Sequence, residues 1–218
     1  MTTLDYAKAR ELMVEQQIRP WDVLLPRVLD VLSTTPREPF IPAAHRTLAY
    51  ADVALPLGHG QFTLKPVIEG RILQALDLGP DDEVLEIGTG SGFLTACMAR
   101  LAREVHSLEL HEDIAAAARA ALASQRADNV RVETADAFAW TSGRRFDAIC
   151  VGGAAAEVPV RFLEWLKPGG RMFVVHGRAP AMDAALVRGD VNAMRIESLF
   201  ETDIPYLVGA APVPTFQL

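Results

Sequence analysis

The chain has 218 residues, half of them hydrophobic and 22% charged, with a formal net charge of -7. That suits one domain with a sizeable core, or one domain with an appended lobe. An acidic chain without a basic run is poorly suited to a phosphate backbone, and no apolar run approaches the roughly 20 residues of a membrane span, so neither nucleic acid nor membrane is expected as a partner.

Met1-Thr2-Thr3-Leu4-Asp5 lacks a signal peptide's apolar core. Cys97 and Cys150 sit in apolar surroundings and read as small buried hydrophobes, without metal-ligand spacing or a disulfide framework. The expectation is a cytoplasmic, soluble protein with no metal.

Residues 4–18 have the look of a helix, which Pro20 ends. Val28, Leu29 and Leu32 mark a second helix, closed before Pro36. Residues 36–66 read as irregular, punctuated by Pro36, Pro39, Pro42, Pro56 and Pro66 around Gly58-His59-Gly60; a long ordered loop of this kind usually has a function. Residues 1–66 are therefore expected to form a lobe that covers a site, with Trp21 in its core. Pro66 suits the first turn of a helix continued by Ile68, Ile72 and Leu76. A turn at Gly79-Pro80-Asp81-Asp82 leads to a strand, Glu83 to Ile87. Strand and helix then alternate: helix 94–101, strand 105–110, helix 114–123, strand 130–134, strand 146–151, helix 162–166 and strand 171–175. That alternation predicts an α/β fold with a doubly wound, mostly parallel sheet. Residues 184–188 and 194–200, flanking Gly189-Asp190 and Asn192, predict an antiparallel hairpin at one sheet edge. Residues 67–218 then form the main domain, ending in this hairpin and an apolar tail from Pro205 to Leu218. The tail should dock on the surface or meet a partner; a monomer and a homodimer both stay open.

The most informative stretch is Val84-Leu85-Glu86-Ile87-Gly88-Thr89-Gly90-Ser91-Gly92. A strand runs into a glycine turn and then a helix, which lets a ligand approach the backbone closely. In open α/β sheets, ligands bind beyond the carboxyl ends of the strands near the switch in strand order. Glu109 ends the second strand and can accept hydrogen bonds from the two hydroxyls of a ribose. Asp136, after the third strand, can accept from an adenine amine, with Ala137 and Phe138 as an apolar wall. The dinucleotide fingerprint is G-x-G-x-x-G. Here the third glycine falls one place early, at Gly92, giving E-x-G-x-G-x-G. The acid Glu86 beside the turn suits a cationic ligand better than a pyrophosphate, which favours a bare helix N-terminus. The ligand expected is S-adenosyl-L-methionine, held by Glu86, Gly88, Thr89, Gly90, Ser91, Gly92, Glu109, Leu110, Asp136 and Ala137. Methyl transfer is an in-line displacement in which alignment alone contributes about 7–11 kcal/mol. A carboxylate acceptor is already ionised at neutral pH and needs no general base.

At this point the sequence resembles a known family, the protein-L-isoaspartate O-methyltransferases, over roughly residues 10–176. The resemblance rests on Met13-Val14-Glu15-Gln16, Pro36-Arg37-Glu38-Pro39-Phe40-Ile41-Pro42, Leu48-Ala49-Tyr50-Ala51-Asp52, Leu55-Pro56-Leu57-Gly58-His59-Gly60-Gln61, the glycine stretch, Glu157-Val158-Pro159 and Leu166-Lys167-Pro168-Gly169-Gly170-Arg171. It implies a Rossmann-like methyltransferase fold and methylation of isoaspartyl residues in damaged proteins. It also implies that Glu86, Gly88, Gly90 and Gly92 line the methionine end of the donor, Glu109 the ribose and Asp136-Ala137 the adenine.

The acceptor side departs from that family. Its Thr-Ile-Ser becomes Phe62-Thr63-Leu64, followed by Lys65-Pro66, and its Val-Thr after the fourth strand becomes Val151-Gly152-Gly153. Thr63 and Lys65 are the candidate catalytic residues: a hydroxyl that replaces the lost serine if the loop shifts, and a cation for an anionic acceptor. His59 is expected to hydrogen-bond within its own loop. Three readings stand: an isoaspartyl methyltransferase; a methyltransferase with a different acceptor such as a small molecule; and a donor-binding protein that has lost catalysis. A nicotinamide dehydrogenase is the weakest alternative.

Overall fold

The computed structural model describes residues 4–213; the last five residues of the predicted tail lie outside the described residues. Seven strands form one sheet: β3 (Glu83–Ile87), β4 (Glu104–Glu109), β5 (Val130–Thr134), β6 (Phe146–Ala155), β7 (Leu166–Arg178), β8 (Ala181–Arg188) and β9 (Arg195–Thr202). Their order is β5-β4-β3-β6-β7-β8-β9. Pairings from β5 across to β7 are parallel, and β7–β8 and β8–β9 are antiparallel. The predicted edge hairpin is β8–β9, and β7–β8 adds a second antiparallel connection that the sequence reading did not foresee. Strand order reverses between β3 and β6, so the carboxyl ends of β3, β4 and β6 meet at the switch point.

The central strands are apolar for a reason. Val84, Val105, Ala148, Cys150, Phe173 and Val175 pack on one face; Leu85, Ile87, Leu108, Ile149, Val151 and Val174 pack on the other. The first face carries α2 (Pro26–Thr34), α3 (Pro66–Leu76), α4 (Phe93–Ala99) and α5 (Glu112–Ser124). Residues of the first 55 positions, including Met13, Ile18, Leu32, Phe40 and Leu55, belong to this same apolar cluster. The second face is covered by Phe162, Leu163 and Trp165, with Ala137, Phe138 and Trp140. The helix expected at 162–166 is a 3-10 turn, Val160–Trp165. Six residues entered from Pro159 give too few hydrogen bonds to offset the cost of α-helix nucleation.

At the N-terminus, α1 (Tyr6–Met13) runs on through a π-helical turn, Val14–Ile18, into a 3-10 turn ending at Trp21. Trp21 is not lobe core: it is 56% exposed. Asp22 follows it in the left-handed region (φ 60°), and the Trp21 carbonyl accepts from Arg71 (2.8 Å). The stretch read as wholly irregular contains a small hairpin, β1 (Pro56–Gly58) and β2 (Gln61–Phe62), with His59 at its tip.

Candidate functional site

Two adjoining clefts lie at the carboxyl ends of β3, β4 and β6. The larger encloses about 770 Å³, its open mouth included. Its floor is Gly88, Gly90, Leu108, Glu109 and Leu110, one wall is Ala135 to Phe138, and its roof includes Leu57, Gln61 and Phe62 of the β1–β2 hairpin. The smaller is lined by Thr63, Glu69, Glu86, Thr89, Ser91 and Leu94. Phe62, Leu64, Gly88, Gly90 and Gly152 border both.

The glycine turn is shaped as the sequence requires. Gly88, Gly90 and Gly92 all have positive φ, at 91°, 54° and 85°. The amides of Gly88 and Thr89 donate to the Leu108 carbonyl (2.8 and 3.2 Å), which ties the turn to the end of β4. Gly92 faces neither cleft. It caps α4, and a Cβ there would lie 3.3 Å from Ala118 and 3.5 Å from Leu122, so its smallness serves helix packing.

Glu109 is 6% exposed and borders the larger cleft. Its Oε2 accepts from the Gly90 amide (2.9 Å) and its Oε1 from the His111 amide (3.1 Å). Each oxygen keeps a further lone pair for a ligand hydroxyl. Asp136 Oδ1 accepts from the Phe138 amide (2.9 Å), which fixes the turn that carries Ala137 and Phe138 into the wall.

Glu86 is buried beside the smaller cleft. Its Oε2 accepts from Thr95 Oγ1 and Ser107 Oγ, both at 2.5 Å, and Thr89 Oγ1 lies 2.5 Å from Ser107 Oγ. Burial pushes the Glu86 carboxyl up to about 8 against the lowering effect of these hydroxyls. Glu69 of α3 lines the same cleft and pairs with the buried Arg37. Burial raises its pKa too, while the guanidinium pulls it down. Arg37 Nη2 donates to the Leu64 carbonyl (2.9 Å), and its guanidinium lies 4.6 Å from the Phe93 ring centre. One buried cation thus ties the acceptor loop to α3.

The ten predicted donor residues are thereby placed. Gly88, Gly90, Glu109, Leu110, Asp136 and Ala137 line the larger cleft; Glu86, Thr89 and Ser91 line the smaller; Gly92 stands behind. Of the two catalytic candidates, Thr63 lines the smaller cleft, and its Oγ1 accepts from the Leu55 amide (3.0 Å). Lys65 is exposed at the N-cap of α3 and lines neither cleft. The His59 carbonyl accepts from Gln61 Nε2 within its own loop (3.3 Å), but the side chain reaches outside it. The ring stacks on His111 (ring centres 4.2 Å apart, planes 4° apart) and its Nε2 lies 2.9 Å from Asp113, so the hairpin tip is tied across the cleft to the start of α5.

The glycines after β6 also have a reason. A Cβ on Gly152 would lie 2.8 Å from the Gly88 carbonyl oxygen, and one on Gly153 would lie 2.8 Å from Leu207 Cδ2. The tail docks there: Ala154 donates to Pro205 O (2.8 Å) and Leu207 donates to Ala154 O (2.9 Å). Pro205 to Val208 thereby border the larger cleft. Sequence reasoning missed Glu69, Ser107 and Thr95; it expected the tail to dock, but not that it borders the cleft. Ser107 and Thr95 carried one signal, as isolated hydroxyls in otherwise apolar stretches.

Comparison with known proteins identifies the family and the fold. Residues 8–198 match the family model described as protein-L-isoaspartate(D-aspartate) O-methyltransferase (PCMT). A protein-L-isoaspartate O-methyltransferase from Roseiflexus castenholzii is 37% identical over 210 residues, 94% of each chain. One from an Anaeromyxobacter species is 44% identical over 159 residues, covering 72% of this chain and 75% of that one. Among solved structures, a Plasmodium falciparum protein-L-isoaspartate O-methyltransferase in complex with S-adenosyl-L-homocysteine superposes with a TM-score of 0.78 at 19% identity, over 94% of this chain and 98% of that one. That likeness is one of fold.

Proposed function

The chain belongs to the protein-L-isoaspartate(D-aspartate) O-methyltransferase family, and from that premise we propose that it methylates the carboxylate of isoaspartyl residues in damaged proteins, with S-adenosyl-L-methionine as donor. The observation that carries the reading is the pair of joined clefts: Glu109 and Asp136 border one, Glu86 and Glu69 the other, and two positive-φ glycines lie between.

The residues fit the donor. Glu109 offers two carboxylate oxygens to a ribose diol, and Asp136 with Ala137 and Phe138 offers an acceptor and an apolar wall to adenine. Glu86 and Glu69 give the methionine end two carboxyl partners, whose ionised forms a bound cation favours. When bound, S-adenosylmethionine supplies a methyl carbon activated by its sulfonium. The chain's own residues hold the reactants in line: Gly88 and Gly90 keep the floor free of side chains, and the hairpin and tail exclude water. An ionised acceptor carboxylate is itself the nucleophile, so no side chain has to remove a proton.

Thr63 is the only hydroxyl residue from the Phe62–Lys65 loop that reaches the cleft, and we assign it a positioning role there; Lys65 has no role in the site. A small-molecule acceptor is the second reading, favoured by the lack of any lysine or arginine along either cleft among the described residues. We place the protein in the cytoplasm, where its two free, buried cysteines suit a reducing medium. Among the described residues, no helix is long and apolar enough to cross a membrane.

The test is transfer of labelled methyl to an isoaspartyl peptide beside its aspartyl twin. Label on the first and not the second is the expected result. Background label on both would remove the isoaspartyl assignment and leave the small-molecule reading.

A further inference from the structure

With adenosine in the larger cleft and the methionine end in the smaller, the sulfur falls where the clefts meet, at Phe62, Leu64, Gly88, Gly90 and Gly152. The acceptor must arrive at that junction. What it meets there is apolar. Phe62 is a large aromatic residue left 45% exposed, and Val208 on the docked tail is 52% exposed. Leu207 reaches the same place: its Cδ2 lies 3.7 Å from where a Gly88 Cβ would stand. Gly152 contributes backbone alone, because the Gly88 carbonyl leaves no room for a side chain. The Thr63 hydroxyl accepts from the Leu55 amide and keeps one O–H to donate, the sole polar side-chain group the Phe62–Lys65 loop brings to the smaller cleft.

We propose that Phe62 and Val208 determine acceptor choice, by covering an apolar side chain next to the isoaspartyl residue. The proposal rests on the isoaspartyl reading and goes beyond it. The occupant follows from the chemistry of the border. Both side chains are apolar and half exposed; Phe62 borders the junction itself, and Val208 borders the larger cleft next to Leu207, which reaches Gly88. Among the described residues, no lysine or arginine lines either cleft to recruit an acidic neighbour. An apolar side chain recovers favourable burial on arrival, whereas a polar one loses water and gains no partner.

The test uses two isoaspartyl peptides that differ only in the flanking residue, leucine in one and serine in the other. The full chain should favour the leucine peptide by about tenfold in kcat/KM, the discrimination typical of a small apolar contact. Phe62→Ser and Val208→Ser should each shrink that ratio toward one. The ratio is indifferent to any general loss of activity, and the exposed Val208 site gives a second variant should Phe62→Ser fold poorly. Equal use of both peptides by the native chain, or a ratio that survives in both variants, would overturn the proposal. Methylation of neither peptide would overturn the isoaspartyl reading and this proposal with it.

Discussion

Replacing Glu109 by alanine tests the donor site where its geometry is most explicit. The carboxylate is almost fully buried and each oxygen already accepts one backbone amide, from Gly90 and from His111. Its remaining lone pairs are the only ones on that side chain that a ribose diol can use. A hydrogen bond to a charged group is worth about 1.5–3 kcal/mol, so two amount to roughly 3–6 kcal/mol. Water entering the vacated space restores part of this. The expected loss in affinity for S-adenosylhomocysteine is therefore at least about tenfold, or 1.4 kcal/mol. Calorimetry measures it. The variant also frees the Gly90 amide, so weakening alone does not identify the ribose. Repeating both titrations with the 2′-deoxy ligand closes a double-mutant cycle. If Glu109 holds the diol, losing the hydroxyl costs the native chain several-fold and the variant almost nothing. Unchanged affinity in Glu109→Ala, or equal costs of deoxygenation in both proteins, would refute the assignment.

Three further predictions follow from buried or bridging charges. The neutral form of Glu86 is favoured in the ligand-free fold, with its pKa near 8 rather than the ordinary 4.5. The stability this gives is full below the ordinary value and is lost as pH rises through about 8. A cationic donor favours the ionised form, so binding at neutral pH should release a proton and tighten as pH rises toward 8; calorimetry in buffers of different ionisation enthalpy should detect this release, and Glu86→Gln should abolish it. Arg37→Ala should destabilise the fold by about 3–5 kcal/mol in denaturant unfolding, because Glu69 is left buried without its partner. Arg37→Met with Glu69→Gln should recover much of that loss. Asp113→Asn and His59→Ala should leave thermal stability nearly unchanged, since the pair is exposed, yet speed donor release in stopped-flow experiments by untying the hairpin tip. Identical release rates would show that the hairpin is held by other contacts.

The donor half of the site was legible in the sequence because it is written in local pattern. Strand β3 ends in an acid and glycines, and β4 ends in Glu109. The parallel register Ile87–Leu108 and Glu109–Thr134 brings those ends together without further information. The acceptor half was legible only at Phe62–Leu64 and Gly152-Gly153, which do border the clefts; the rest is assembled from distant pieces. The β1–β2 hairpin has strands of three and two residues, too short for a period-two pattern. Glu69 reads as one more polar residue on a helix and becomes a cleft wall only once α3 packs beside Arg37. Lys65 was attractive by neighbourhood alone; the backbone direction at the start of α3 carries it to the surface. Gly152-Gly153 looked like lost hydroxyls. In the fold they are the space that lets β6 pass the Gly88 carbonyl and lets Leu207 dock, a relation between segments far apart in the chain.

The central claim is that this acid-lined pair of clefts serves to methylate isoaspartyl carboxylates on proteins. The most direct test is to incubate the full chain and labelled S-adenosylmethionine with an aged cell extract, then separate protein from small molecules. The account predicts that most of the base-labile methyl label lies in the protein fraction, and that an isoaspartyl peptide suppresses it while the aspartyl twin does not. Label confined to the small-molecule fraction, or unaffected by the isoaspartyl peptide, would contradict it.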